Sequence, residues 1–515
     1  MGDSNIGGII MNFLKLQNGS DIRGIALSGV KGEKINLTSD ICGIIAKYFA
    51  YFLSKIYRLT QLQIAVGMDS RLSGPEISQA VCEALKSIGV KVFDCGLSTT
   101  PSMFFTCLKE GLNCHGAIMI TASHLPFNRN GLKFFTKKGS PEKEDITEIL
   151  TYCENRPKIL DIFDKEEITK IDFLTKYSNM LIDKIRKEVN SVNYQKPLEN
   201  LKILVDAGNG AGGFYAEKVL KELGAEYAGS LYLEPDGNFP NHIPNPESKD
   251  ALKDISNAVI TNNADLGIIF DTDVDRAAII DKNGREINRN KLIALISAIV
   301  LKYNPGSTIV TDSITSSALG KFISRSGGVH HRFKRGYKNV INESISLNEK
   351  GINCELAIET SGHCALKENY FLDDGAYLVS KILIEYAKCH QNGEDLFSII
   401  ESLEEPKEEA EIRIPVKNGD FKKIGEKIIE DLKIYAANNL WNIETPNYEG
   451  IRIAFDKGSG DGWFLLRMSL HDPVIPVNIE SNTIGGVKII ASKLYEFLEI
   501  YKDIDIANLS DFMIK

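Results

Sequence analysis

The sequence predicts an α/β protein. Three similar α/β domains, with mixed sheets covered by helices, are followed by a smaller α+β domain at the C-terminus. The 515 residues are too many for one hydrophobic core. Three segments repeat one pattern, an apolar strand running into Asp and small residues: Gln63-Ile64-Ala65-Val66-Gly67-Met68-Asp69-Ser70-Arg71, Leu201-Lys202-Ile203-Leu204-Val205-Asp206-Ala207-Gly208 and Ser307-Thr308-Ile309-Val310-Thr311-Asp312-Ser313. A helix is expected after each. Strands alternating with helices make mainly parallel or mixed sheets covered on both faces.

Taken in order, residues 41–56 are the most apolar stretch, but Lys47 and Lys55 interrupt them. They read as a buried helix, not a membrane span. After the first strand come Gly74-Pro75 and then Ile77, Val81, Leu85 and Ile88 at helical spacing. Pro75 suits the first helical turn and Gly89 the stop. The run Gly116-Ala117-Ile118-Met119-Ile120 reads as a buried strand. Residues 172–189 read as an amphipathic helix closing the first domain, and 192–200 as a linker. The Glu- and Lys-rich stretch 401–411, with Pro406, marks a further boundary, and the last domain carries a Gly-rich loop at 457–462. The expected domains are 1–190, 191–304, 305–408 and 409–515.

Hydrophobic residues at 43% and charged residues at 25% are ordinary for a soluble globular protein. A net charge of −9 argues against nucleic acid and anionic membrane surfaces as partners, while leaving room for a small anion held by local Arg and Lys. The nine cysteines form no C-x-x-C pair. That excludes a disulfide framework or zinc site and, with no signal peptide visible, suggests the cytoplasm.

Four segments carry chemistry. Ser123 and His124 follow the buried strand in Ile120-Thr121-Ala122-Ser123-His124-Leu125-Pro126, at the carboxyl end of a strand, where open α/β sheets place their sites. Asp271-Thr272-Asp273-Val274-Asp275-Arg276 follows a second strand, Asp265–Phe270. Alternate residues of an extended chain lie roughly 6.7 Å apart on one face. Three carboxylates can therefore share one ion at about 2.1 Å only if the loop curls. Three hard oxygen ligands suit magnesium. An EF-hand is excluded, because Arg276 and Lys282 stand where it needs Gly and Glu. Glu359-Thr360-Ser361-Gly362-His363 can hydrogen-bond a polyol, and Arg467-Met468-Ser469-Leu470-His471 offers an Arg fork and a hydroxyl to a phosphate. By itself either segment is also what an ordinary polar loop looks like. Gly208-Asn209-Gly210-Ala211-Gly212-Gly213 satisfies the dinucleotide fingerprint G-x-G-x-x-G, but a lone fingerprint is more often a tight strand-to-helix turn.

Together these segments resemble the α-D-phosphohexomutase family, which includes phosphoglucomutases and phosphomannomutases, over nearly the whole chain. The Ser123 loop resembles its phosphoserine loop, the triple-Asp loop its magnesium loop, 359–363 its sugar loop and 467–469 its phosphate loop. Ser20-Asp21-Ile22-Arg23-Gly24, Asp69-Ser70-Arg71-Leu72-Ser73-Gly74, Asn130-Gly131-Leu132-Lys133 and Lys334-Arg335-Gly336-Tyr337 are similar to further family segments. The resemblance implies four domains around a central cleft and interconversion of hexose 1- and 6-phosphates, of glucose or mannose, through a hexose 1,6-bisphosphate. It implies Ser123, His124, Lys133, Arg23 and His363 as catalytic residues, with Lys133 foremost as general base or acid. Ser123, Asp271, Asp273 and Asp275 would hold one Mg2+, and Arg276, Lys334, Glu359, Ser361, His363, Arg467, Ser469 and His471 would bind substrate. A monomer is the family default.

Two departures stand out: Leu125 where many members have Asn, and Leu470-His471 in place of Gly-Thr or Asn-Thr. Competing readings are a mutase for N-acetylglucosamine or glucosamine phosphate, a haloacid dehalogenase-type phosphatase with Asp271 as nucleophile, a non-catalytic sugar-phosphate-binding paralogue and a dinucleotide-dependent oxidoreductase.

Overall fold

The computed structural model describes residues 12–59, 61–159, 167–417, 419–469 and 472–514. They divide into two compact units. The first comprises the described residues up to Asn288 together with Ser361–Leu396; the second comprises Arg289–Thr360 and the described residues from Phe397 on.

The first unit holds two mixed sheets. Seven strands lie in the order Gln17–Asn18, Asp21–Ile25, Arg129–Thr136, Gly116–Ile120, Gln63–Met68, Lys91–Leu97 and Ile168–Lys170. Gln63–Met68 runs parallel to both of its neighbours, while Gly116–Ile120 pairs antiparallel with Arg129–Thr136. Ser39–Tyr57 is the helix expected at 41–56, capped by the Thr38 hydroxyl, with Ile45, Phe49 and Leu53 on its buried face. Gly74–Lys86 is a helix with Pro75 in its first turn and Ile77, Val81 and Leu85 buried at four-residue spacing. Phe173–Val189 is a helix capped by Asp172, and 192–200 carries no regular element. The second sheet has the order Glu286–Ile287, Ala277–Asp281, Leu266–Phe270 and Ile203–Asp206. The hairpin Cys364–Leu366 and Leu372–Asp373 and the helix Gly375–Gln391 complete this unit.

In the second unit, Thr308–Thr311 runs parallel between Val329–Arg332 and Cys354–Ile358. Helices Arg289–Tyr303, Ser317–Arg325 and Tyr337–Glu349 accompany these strands. The C-terminal part is antiparallel, in the order Glu408–Pro415, Val474–Ser481, Gly462–Leu466, Ile451–Phe455 and Asn442–Ile443, with helices Phe421–Asn438 and Gly486–Leu498.

The three Asp-terminated segments are strands, each followed by a helix. After Ile203–Asp206, however, the helix is a π-helical segment, Tyr215–Leu220. The stretch read as a boundary at 401–411 runs into the strand Glu408–Pro415. Its charges follow from its place at a sheet edge, where alternate side chains face water. Among the described residues no helix is long and apolar enough to cross a membrane. All nine cysteines are free thiols, eight of them buried.

Candidate active site

The first unit brings Ser123, His124, Lys133, Asp271, Asp273, Asp275, Arg276 and His363 together. Ser123 leaves the strand Gly116–Ile120 through a left-handed turn, φ +50°. Its hydroxyl donates to Asp271 Oδ2 at 3.1 Å, accepts from Arg276 Nη2 at 3.0 Å and lies 3.3 Å from His124 Nδ1. Arg276 Nη2 also donates to His124 Nδ1 at 2.7 Å, so that nitrogen carries no proton. Burial, and then Arg276, push His124 down to about 3, leaving a neutral imidazole beside the serine. Arg23 pairs with Asp21 at 2.8 Å and donates to the carbonyl of Thr121.

The curl expected of the triple-Asp loop comes from Val274, a β-branched residue at φ +65°. Such a conformation persists only where the surroundings enforce it. The resulting turn puts ligand atoms of Asp271, Asp273 and Asp275 within 4.8 Å of one another, with all three side chains buried. Arg276 Nε and Nη2 donate to Asp271 Oδ2 at 3.1 and 3.0 Å. Asp273 Oδ2 accepts from Thr100 Oγ1 at 2.5 Å and from Lys133 Nζ at 2.9 Å, and Lys133 reaches Asp275 Oδ2 at 2.5 Å. Burial, then repulsion from Asp275, raise Asp271 well above the carboxylate range. For Asp275 burial acts the same way, but the Lys133 ammonium outweighs it and holds the carboxyl low. Burial alone would lower Lys133; Asp273 and Asp275 instead raise it well above its ordinary value, so it is charged.

Asp273 Oδ1 and Asp275 Oδ1 are buried and accept no hydrogen bond. A buried carboxylate oxygen without a donor is expensive to keep. Two of them in a cluster of three carboxylates fit a hard divalent cation.

His363 Nε2 lies 3.6 Å from Asp275 Oδ1 and 3.8 Å from Asp373 Oδ2, while its Nδ1 is 2.9 Å from Ser361 Oγ. Burial holds it down at about 3, a neutral imidazole at neutral pH. The sugar-loop segment is thus divided: Ser361 and His363 belong to the first unit, Glu359 to the second.

In the second unit Glu359 is buried and accepts from the Gly336 amide at 2.6 Å. Burial and the neighbouring Asp312 push it up to about 8. Lys334 Nζ lies 6.0 Å from the Phe333 ring centroid. Arg467 is buried, with Nη1 3.8 Å from Glu449 Oε1 and no hydrogen bond at Nε. The Ser469 hydroxyl accepts from the Asp472 amide at 3.2 Å. Leu470 and His471 lie outside the described residues.

Family models for the three α/β/α domains of phosphoglucomutase/phosphomannomutase match this chain: domain I over 15–158, domain II over 179–284 and domain III over 288–405. A phosphoglucomutase of Neisseria gonorrhoeae is 30% identical over 89% of the chain and 95% of that protein. A phosphomannomutase/phosphoglucomutase of Pseudomonas syringae pv. tomato is 32% identical over 86% of the chain and 88% of that protein. The chain belongs to the α-D-phosphohexomutase family. A crystal structure of a phosphoglucomutase/phosphomannomutase family protein from Burkholderia thailandensis superposes with a TM-score of 0.75 at 26% identity, over 95% of this chain and 97% of that one. The protein is accordingly a mutase, an intramolecular phosphotransferase.

In this phosphohexomutase the Gly208–Gly213 run is no dinucleotide cradle. A Cβ on Gly210 would lie 2.7 Å from the Thr272 carbonyl oxygen, and the Ala211 amide donates to that same oxygen at 2.8 Å. The turn therefore packs its backbone directly against the triple-Asp loop. Sequence reasoning missed Thr100, which grips Asp273, and Glu449, which joins Ser313 Oγ at 2.5 Å and the Arg335 amide at 3.0 Å. Neither stands in a recognisable motif, and only the folded chain shows their partners.

Proposed function

We propose that this mutase interconverts the 1- and 6-phosphates of glucose, mannose or both through a phosphorylated Ser123. The observation that carries the reading is the Ser123 hydroxyl, 3.0 Å from Arg276 Nη2 and 3.1 Å from Asp271 in a buried group of three carboxylates. In the first transfer the bond from Ser123 Oγ to phosphorus breaks as the free sugar hydroxyl bonds to that phosphorus, giving a hexose 1,6-bisphosphate. In the second, Ser123 Oγ takes the other phosphoryl group and the isomeric monophosphate leaves.

Such transfers need positioning and charge neutralisation more than covalent help. Arg276 presents a planar fork to oxygens on Ser123. Asp271, Asp273 and Asp275 would hold the family's Mg2+, which supplies Lewis-acid neutralisation of phosphoryl charge when bound. In the first transfer the attacking sugar hydroxyl gives up a proton and the departing Ser123 Oγ takes one up; in the second Ser123 Oγ gives it up and the departing sugar oxygen takes one up. His363, neutral, serves as acceptor, and Lys133, charged, as donor. Glu359 and Ser361 take sugar hydroxyls, and Arg467, Ser469 and Lys334 take the non-reacting phosphate. Leu125 contributes its backbone carbonyl to the serine loop, which any residue at that position supplies.

Intact mass with peptide mapping tests the reading, together with coupled assays on glucose, mannose and N-acetylglucosamine 1-phosphates. Phosphate on Ser123 and turnover of a hexose phosphate are expected. Phosphate on Asp271 instead would overturn the assignment of Ser123 as the phosphoryl carrier.

A further inference from the structure

We propose that Arg71 is a positioning residue for transfer at Ser123, and that segment 236–245 braces it together with Arg276. The inference rests on the phosphoserine reading. Arg71 is 1% exposed. Its Nη1 donates to the carbonyl oxygens of Pro126 and Arg129 at 2.8 and 2.9 Å, and its Nη2 to those of Ser123 and Leu125 at 2.5 and 2.6 Å. Its Nε faces Asp69 Oδ2 at 3.4 Å. Four of the five N–H groups of the guanidinium thus donate to carbonyl oxygens, while Nε makes only the ion-pair approach to Asp69 and no hydrogen bond. Four carbonyl dipoles of one short loop converge on a single planar cation. An ammonium has three donors radiating from one point and cannot span them.

The consequence falls on Ser123. Arg71 holds its carbonyl, the Thr121 hydroxyl accepts from its amide at 2.9 Å, and its φ is +50°. A non-glycine residue keeps that conformation only when its neighbours enforce it. Here it turns Oγ towards Asp271 and Arg276.

Segment 236–245 reaches both arginines. The Phe239 ring centroid lies 5.2 Å from the Arg71 guanidinium carbon. A Cβ on Gly237 would come within 2.4 Å of the Leu72 nitrogen and 2.6 Å of the Ser70 oxygen, so only glycine allows this approach. Asn245 Oδ1 accepts from Arg276 Nη1 at 3.3 Å. His242 Nε2 anchors the segment on Asp206 Oδ2 at 2.9 Å. One segment thus steadies the cation at the Ser123 carbonyl and the cation at its hydroxyl.

The test is Arg71→Lys and Phe239→Ala in the full chain, reading kcat and KM for glucose 1-phosphate in the presence of glucose 1,6-bisphosphate, with thermal stability alongside. A positioning role lowers kcat about 100-fold in R71K and about tenfold in F239A, because small misplacements of reacting atoms cost that much. KM should move less than about threefold, since ground-state binding is untouched. A merely structural role lowers stability while kcat per folded molecule stays at the wild-type value, and that result overturns the proposal. If R71K does not fold, F239A decides alone, its ring being partly exposed. If the wild-type protein neither carries phosphate on Ser123 nor turns over, the phosphoserine reading has failed. Hydrogen exchange at the Leu125 and Arg129 amides then judges the positioning by itself: faster exchange in F239A upholds it and unchanged exchange overturns it.

Discussion

Lys133 and Asp275, far apart in the chain, meet in a 2.5 Å ion pair in which both side chains are buried. Lys133 also pairs with Asp273 at 2.9 Å, so one ammonium is shared between two of the three carboxylates. Removing it leaves buried charge uncompensated. Lys133→Met should lose about 3–5 kcal/mol of stability without divalent ions, the usual penalty for breaking a buried pair. Magnesium should recover part of that loss by supplying positive charge to the same carboxylates. Urea unfolding with and without magnesium checks this; a deficit that magnesium leaves untouched would contradict the shared role of the cluster.

Ser123→Ala should leave sugar-phosphate binding measurable by calorimetry while turnover drops by several orders of magnitude. The Ser123 hydroxyl accepts from Arg276 and donates to Asp271, while the loop is held through the Ser123 backbone carbonyl and amide, which alanine keeps. Near-normal turnover in this variant would remove Ser123 from the mechanism.

Chelation should abolish turnover, and magnesium should raise the melting temperature of the metal-free protein. Asp273 Oδ1 and Asp275 Oδ1 are buried without donors, so an ion that satisfies them stabilises the folded state in proportion to its occupancy. Activity undiminished in excess EDTA would count against the triple-Asp assignment.

Glu359 makes stability depend on pH. Burial and Asp312 raise it to about 8 from an ordinary 4.5. Between those values the folded protein keeps a proton that the unfolded chain has lost, so this group's contribution declines as pH rises from about 4.5 to about 8. At about 1.4 kcal/mol per pKa unit the decline is a few kcal/mol. Glu359→Gln has no proton to lose and should flatten that slope. Equal slopes for the two proteins in urea unfolding at pH 5 and pH 8 would refute the assignment.

Much of the site was legible before folding because its parts are local. Ser123-His124 follows a five-residue apolar run, and that run is a strand with every residue buried. The spacing of Asp271, Asp273 and Asp275 requires a curl, and Val274 at φ +65° provides one. Whether the imidazoles of His124 and His363 would be charged was not legible. Both are neutral because of burial, and burial is decided by chain remote from them.

The alternation of strands and helices, the Ser and triple-Asp loops at strand ends and the family are all written locally, since hydrophobic period and short motifs act within a few residues of themselves. The fold alone brings the Lys133 ammonium between Asp273 and Asp275, and Thr100 onto Asp273. It alone decided that Arg71 gathers four carbonyls of the serine loop. These are pairings between distant positions, created when buried charges and dipoles must find partners within the closed chain, and no local pattern encodes them.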